Sequence, residues 1–382
     1  MAEQFEAKIE KEEILEMVQS LMDFYEPLET IQDYFLERKK EKIVGLDASC
    51  TKTMFDNYEI EPKDMNFELE IIDGKTFNPA TQIITSLPLE AQIGRQITIG
   101  VRETTSNKWV GFIRMASPVL SIKPRNDFFG QKVEATQVNR SMINGAVIVP
   151  VQPFGYNYLG GKLLALFCCS HEMKQMLKDK YGEKIDTCFF ETTSLYGDLK
   201  GASMYDGLKP FIRYQALTES DLFLFPTEEV LAPLRTRIRE LYGKEEWNGN
   251  TIDPKPSGPK MREFNKLISI FKNHLRLYDM EKYTEFHNFT KSHMKAKTKK
   301  RYYYSDFGYG NVIEHVNSGG EIPLEENKQN FHKFNKDFMV EWWRKKSINR
   351  FNNLNTNKTI KTELEYFTVQ NIQEGLNFNM IR

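Results

Sequence analysis

Glu191 closes a strand-like apolar run, Lys184–Thr192 (KIDTCFFET), and is followed by Thr192, Thr193 and Ser194. A carboxylate at the C-terminal end of a strand, opening into a sheet crevice, has the chemistry of a general base. Tyr205 follows in the next block, where a phenol near a helix terminus can donate a proton as a general acid. Glu191, Ser194 and Tyr205 are therefore the candidate catalytic group. The plainer reading of Glu191 is an N-cap or a salt-bridge partner, and that of Tyr205 is a packed ring with a satisfied hydroxyl. A second signal lies just upstream. Gly155, Gly160 and Gly161 separate the apolar run Ala146–Val151 (AVIVPV) from the body of a long helical pattern. Glycines there let backbone approach a ligand, and the free N–H groups and dipole of a helix start favour a phosphate. Asn157, Gly160, Gly161 and Lys162 (within NYLGGK) would line such a cofactor site. The alternative is that the glycines only allow the helix to pack on a sheet.

A third set of residues suits a polyanion. Lys291–Tyr304 (KSHMKAKTKKRYYY) places Lys297, Lys299, Lys300 and Arg301 before Tyr302, Tyr303 and Tyr304. Lysines neutralise phosphates and aromatic faces stack on exposed bases, so the run is a candidate nucleic-acid contact, with Tyr303 as the stacking ring. Trp342–Lys346 (WWRKK) repeats the mixture, although packing accounts for at least one tryptophan. Arg125, in Pro124–Asp127 (PRND), is a candidate phosphate clamp or else a surface residue of a turn. Residues 261–382 hold 21 Lys and Arg against 14 Asp and Glu, a net of +7, which leaves −8 on the first 260 residues. That asymmetry fits either a nucleic-acid partner or a solvated basic surface. His171 and the other five histidines keep no ligand spacing, and Cys50, Cys168, Cys169 and Cys188 form no CxxC pair, so no metal is expected.

Several elements must position these residues. The chain has 382 residues, 40% hydrophobic and 27% charged, enough for a buried core in about two domains. No apolar run is long enough to span a bilayer, and the acidic, amphipathic start is unlike a targeting segment, so a cytoplasmic, reduced protein is expected. Residues 1–43 read as a helical N-terminal cap. Residues 44–243 alternate strand and helix. Asn66–Ile72, Gln96–Arg102 and Trp109–Met115 read as strands, the last two joined as a hairpin, and Pro79–Gly94 as a short helix. Leu159–Tyr181 reads as one long helix with Gly182 past its end. Ser203–Leu208 reads as a short helix and Phe211–Ala216 as the final strand. Residues 244–260, with three prolines and two glycines, read as a linker. Residues 261–382 read as a basic, mostly helical domain, including a helix over 331–352.

The order strand, glycine turn, helix, strand is similar to the acyl-coenzyme A half of the GNAT acetyltransferase fold. Ala202–Ile212 (ASMYDGLKPFI) resembles the ending of that fold. Trp109–Ala216 is also similar to the DruA family of phage-defence proteins, in Val110–Phe112 (VGF), Pro124–Gly130 (PRNDFFG), the AVIVPV strand and Phe190–Leu208. The phage Mom DNA-modification proteins are placed on a GNAT-like scaffold too. These resemblances cover about residues 96–216. They imply an α/β fold with a GNAT-like mixed sheet and flanking helices, and acetyl-CoA or another acyl donor as cofactor. They also imply DNA as a partner, with no membrane. The implied function is a DNA-modifying, acyltransferase-like enzyme of phage–host conflict. The alternatives are a catalytically inert DNA- or partner-binding module of DruA type, and an ordinary N-acetyltransferase. The GNAT phosphate signature, Gln/Arg-x-x-Gly-x-Gly/Ala, is only partly met here, by Gly160 in NYLGGK.

Overall fold

The computed structural model describes residues 5–90, 94–195, 203–242, 246–247, 250–251 and 260–374. In chain order they form α1 (Lys11–Asp23), α2 (Ile31–Ile43), β1 (Phe67–Ile71), α3 (Gly74–Ile84), β2 (Gln96–Glu103) and β3 (Lys108–Ala116). There follow α4 (Lys123–Phe129), α5 (Ala135–Ser141), β4 (Met142–Pro150), α6 (Phe154–Tyr158), α7 (Gly160–Cys168), α8 (His171–Tyr181), β5 (Phe189–Ser194) and β6 (Arg213–Phe223). The remainder are α9 (Glu228–Tyr242), a short ladder of β7 (Glu246–Trp247) with β8 (Asn250–Thr251), α10 (Lys260–Tyr278), α11 (Met280–Ser292), β9 (Lys295–Ser305), α12 (Val312–Asn317), α13 (Lys336–Thr356) and α14 (Val369–Gln373). They divide into two compact units, one from residues 1–41 and 220–298, the other from 42–219 and 299–382.

The first unit is mostly helical. Ile14, Met17, Val18, Leu21 and Met22 recur at helical spacing, and α1 buries that stripe against α9 and α10. Buried His274 is held on both ring nitrogens, by the Ile270 carbonyl at 2.9 Å and the Tyr242 hydroxyl at 2.9 Å. Buried Arg38 donates to the Pro226 carbonyl at 2.9 Å and pairs with Glu41 at 2.6 Å.

The second unit is built on a seven-stranded sheet in the order β1-β2-β3-β4-β5-β9-β6. The registered pairs are antiparallel except β4 with β5, which run parallel. That parallel pair covers only Met142–Asn144 against Phe189–Glu191, although both strands continue. Beyond it, Thr192 Oγ1 donates to the Gly145 carbonyl at 2.9 Å. Alternation then sends neighbouring side chains to opposite faces. Ile143, Phe190 and Tyr303 join the core under α7. Met142, Phe189, Tyr302 and Tyr304 join a second core with Phe129 and Val316. Burial on both faces explains why β4 reads as a nearly continuous apolar run.

Several expectations are corrected. The long helix over 159–181 is two helices. Cys169 leaves helical geometry, and the Ser170 hydroxyl caps α8 by accepting from the Met173 N–H at 3.1 Å. The Pro79–Gly94 helix starts earlier, at Gly74, because the Asp73 carboxylate accepts from the Thr76 N–H at 2.8 Å. Ser203–Leu208 forms turns. The strand near Phe211 is not the last one. The lysine–tyrosine run is itself β9, inserted into the sheet between β5 and β6, where helix was expected. The 331–352 helix starts as a 3-10 turn, and α13 begins only at Lys336 after the Asn335 cap. Most of the 244–260 stretch lies outside the described residues. No described helix is long and apolar enough to cross a membrane.

α13 docks on α6 and α7 through a defined contact. Fully buried Trp343 donates its indole N–H to the Tyr158 carbonyl at 2.8 Å, and the Ser347 hydroxyl donates to the same oxygen at 2.8 Å. Trp343→Phe keeps an aromatic ring and removes one donor. It should cost about 1–3 kcal/mol in a urea unfolding titration, whereas an unchanged midpoint would mean that the indole bond contributes nothing.

Candidate functional site

Glu191 sits in β5 beneath α4, and its carboxylate is fully engaged. One oxygen meets the Arg125 guanidinium at 3.0 Å and the other accepts from the Tyr302 hydroxyl at 2.6 Å. Arg125 has 0% exposure and also donates to the carbonyls of Val119 and Leu120, both at 2.8 Å, which ties the β3–α4 loop to the pair. Its Nε has no partner among the described residues. Burial pushes the Glu191 pKa up, against the opposing pull of Arg125 and Tyr302. A phosphate clamp at Arg125 is thereby corrected, since a guanidinium sealed in the core and committed to Glu191 and two carbonyls cannot meet a nucleic-acid backbone. Of the two readings of Glu191, the geometry is that of a salt-bridge partner. Tyr302 was missed as a member of this group, because the chemistry of a Lys–Tyr run points outward until the run is known to be a strand.

The glycine turn is occupied by the chain's own atoms. A Cβ on Gly160 would stand 2.4 Å from the Phe154 ring, and one on Gly161 would stand 2.9 Å from Met204 Sδ. Leu159 takes φ +56° to make the turn into α7. The Lys162 ammonium donates to the Met204 carbonyl at 3.2 Å and to the Asp206 carbonyl, so it closes the 203–207 turn over the start of α7. Burial lowers its pKa. Asn157 has 0% exposure and forms two bonds with the backbone of Lys361, giving its amide N–H to the carbonyl at 2.7 Å and accepting from the N–H at 3.1 Å. It thereby holds the C-terminal segment.

Four of the sequence-derived candidates, Lys162, Tyr205, Arg301 and Tyr303, do converge around Asp206. The Tyr303 hydroxyl donates to Asp206 Oδ1 at 2.9 Å, and Arg301 pairs with Oδ2 at 3.3 Å. The Tyr205 ring meets Tyr303 edge-on at 5.1 Å. Arg301 lies over the exposed Tyr214 ring at 4.6 Å. Burial first, with its hydrogen bond and the Asp206 charge adding, pushes the Tyr303 pKa up to about 12, so the phenol keeps its proton at neutral pH. Asp206 was not singled out because an Asp before Gly reads locally as a turn former. Ser194 pairs with Arg301 in the β5–β9 register and is buried. Tyr303 has only 1% exposure, and its neighbours Tyr302 and Tyr304 are also buried, which corrects the stacking role expected of it. Lys297 and Lys299 are exposed, while Lys300 is partly buried with its pKa lowered by that burial. Among the described residues, no cluster of three or more His, Cys, Asp or Glu could hold a metal ion.

The arrangement therefore comprises a parallel strand pair that parts early, a helix start beside it closed by its own turn, and a sealed Arg–Glu–Tyr group. Over residues 23–200 the chain matches the model of a protein family described as Druantia protein DruA. The match starts well upstream of the motifs that carry the resemblance and ends within their last block. No curated protein and no solved structure matches the chain.

Arg125→Met should destabilise the protein by about 3–5 kcal/mol, because Glu191 would be left buried without its counter-charge. The triple variant Arg125→Met, Glu191→Leu, Tyr302→Phe should recover much of that loss. Urea midpoints compare the two, and a triple variant no more stable than the single one would contradict this account.

Proposed function

We propose that the chain is a phage-defence protein of the DruA kind, and that its α/β unit is a recognition scaffold of GNAT-like build and not an acyl-transfer enzyme. The similarity over residues 23–200 supports the first part. The GNAT-like build is supported by the sheet order and by the parallel pairing of β4 with β5, which ends after Asn144 and Glu191. The observation that carries the recognition reading is the closed start of α7. Coenzyme pyrophosphate binding uses free N–H groups and open space at such a terminus. Here Phe154, Met204 and the Lys162-bound turn fill that space. The Phe190 ring also lies 2.9 Å from where a Cβ on Gly145 would stand. Glu191, the only carboxylate among the candidate catalytic residues, is held in its pair with Arg125.

The acyltransferase reading keeps one favourable observation, the early parting of β4 and β5. In that reading acetyl-CoA or another acyl donor enters once the 203–207 turn lifts, and Gly160→Asp abolishes its binding. DNA is the partner we propose for the chain, through exposed Lys297 and Lys299 of β9.

Calorimetric titration of the full chain with coenzyme A should give no saturable heat, and DNA nucleosides from expressing cells should be unmodified by mass spectrometry. Saturable binding of coenzyme A by the wild type would favour acyl transfer. Duplex DNA binding should weaken with salt at about 0.9 log units in K per decade for each phosphate neutralised. Replacing Lys297 and Lys299 by Ala should make that slope shallower by up to about 2. An unchanged slope would remove these lysines from the DNA contact.

A further inference from the structure

A cavity of about 530 Å³ opens beside α8, on residues that the functional reading leaves unused. One wall is a single helical face, because His171, Lys174, Gln175 and Lys178 fall at positions i, i+3, i+4 and i+7. The facing wall is the chain entering β5, with Asp186 and Thr187, and the residues Tyr309 and Phe331. Seven residues of helix separate His171 from Lys178, which spans about 10 Å.

The two ends differ in chemistry. At the first, the His171 and Phe331 rings lie 4.2 Å apart and Tyr309 meets Phe331 at 5.2 Å. His171 Nε2 faces the Phe307 carbonyl at 3.1 Å, so the ring proton belongs there and Nδ1 is left as an acceptor. At the second end stand Lys178 and Arg140. The Lys178 ammonium shares a surface pair with Glu183 at 3.2 Å, and the Arg140 side chain has no ionic partner among the described residues. Between the ends, Lys174 reaches Asp186 at 4.0 Å and the Tyr309 hydroxyl. Behind the cavity wall, Asp186 also faces His315 Nε2 at 3.9 Å. Thr187 is 2% exposed, and its hydroxyl has no partner among the described residues. Buried polar groups normally find partners, so the unsatisfied Thr187 hydroxyl in the cavity wall points to a ligand that supplies one. The volume is that of a small-molecule site.

An aromatic end, a carboxylate-and-hydroxyl middle and a cationic end follow in the order of a base, a ribose and a phosphate. We propose that this cavity binds a nucleoside phosphate, with the base against Phe331 and Tyr309, the ribose hydroxyls at Asp186 and Thr187, and the phosphate at Arg140 and Lys178. Lys174 lies where it can meet either the ribose or the phosphate. The same chemistry is carried by a free nucleotide and by the 5′-phosphate end of a nucleic-acid strand.

The test is calorimetry on the full chain with ATP, AMP, adenosine, tripolyphosphate, and an oligonucleotide with and without a 5′-phosphate. ATP or AMP should bind saturably, and adenosine and tripolyphosphate each at least tenfold more weakly. Arg140→Ala with Lys178→Ala should weaken nucleotide binding at least tenfold, since charge-assisted bonds to phosphate are lost. Both side chains lie at the surface, so thermal unfolding of this variant should match the wild type. Phe331→Ala should weaken ATP and leave tripolyphosphate unchanged. Binding of only the 5′-phosphorylated oligonucleotide would still support the site and assign its source to a strand end. No saturable binding of any probe would overturn the proposal. So would tripolyphosphate binding as tightly as ATP, or nucleotide binding indifferent to the Arg140 and Lys178 changes.

Discussion

The contact between Arg125 and Glu191 is the constraint around which the sheet unit is arranged. Two charges in a dry interior are tolerated only when paired and hydrogen-bonded, because the desolvation of each is large. The pair joins α4 to β5, recruits Tyr302 from β9, and fixes the β3–α4 loop through the carbonyls of Val119 and Leu120. Three distant segments thus have a common register point, and a one-residue slip of β9 would send Tyr302 to the opposite core. The cost is a guanidinium nitrogen left without an acceptor among the described residues. The same commitment removes from solvent the carboxylate that local sequence presents as a base.

The start of α7 repeats the pattern on the other face. Glycines there serve contact between parts of the chain, as Phe154 rests on Gly160 and Met204 on Gly161. Lys162 then binds two carbonyls of the turn that Met204 belongs to, and Asp206 in that turn receives Tyr303 and Arg301 from β9. A phosphate site and a packing site use the same residues, and what separates them is whether the covering turn is present.

What the sequence made legible follows from distance along the chain. The β2–β3 hairpin was readable because its apolar alternation and its turn are local. The apolar β4 run and the amphipathic α1 were readable for the same reason. The break between α7 and α8 was harder, since the apolar stripe continues past it and only the Ser170 cap marks it. β9 was hidden because lysines on its outward positions outweigh the buried tyrosines in any local count. The partners of Glu191 lie 66 and 111 residues away. No periodicity reports a pairing of that span, so the sequence left salt bridge and general base open, and Asp206 passed as a turn residue.

The place of β9 has a consequence for how the chain is made. β5 presents one edge to β4 and the other to β9, and between β5 and β9 in the sequence lies nearly all of the second stretch of the helical unit. At a synthesis rate of about 5–20 residues per second, the ribosome needs roughly 6–20 s to pass from Glu191 to Tyr302. During that interval Phe189–Ser194 is an uncovered strand edge of apolar and hydroxyl residues around one carboxylate, a segment open to pairing with other chains. The nascent protein therefore carries a timed hazard, relieved only when a strand encoded far downstream emerges, and the helical unit has the opportunity to fold before the sheet is complete.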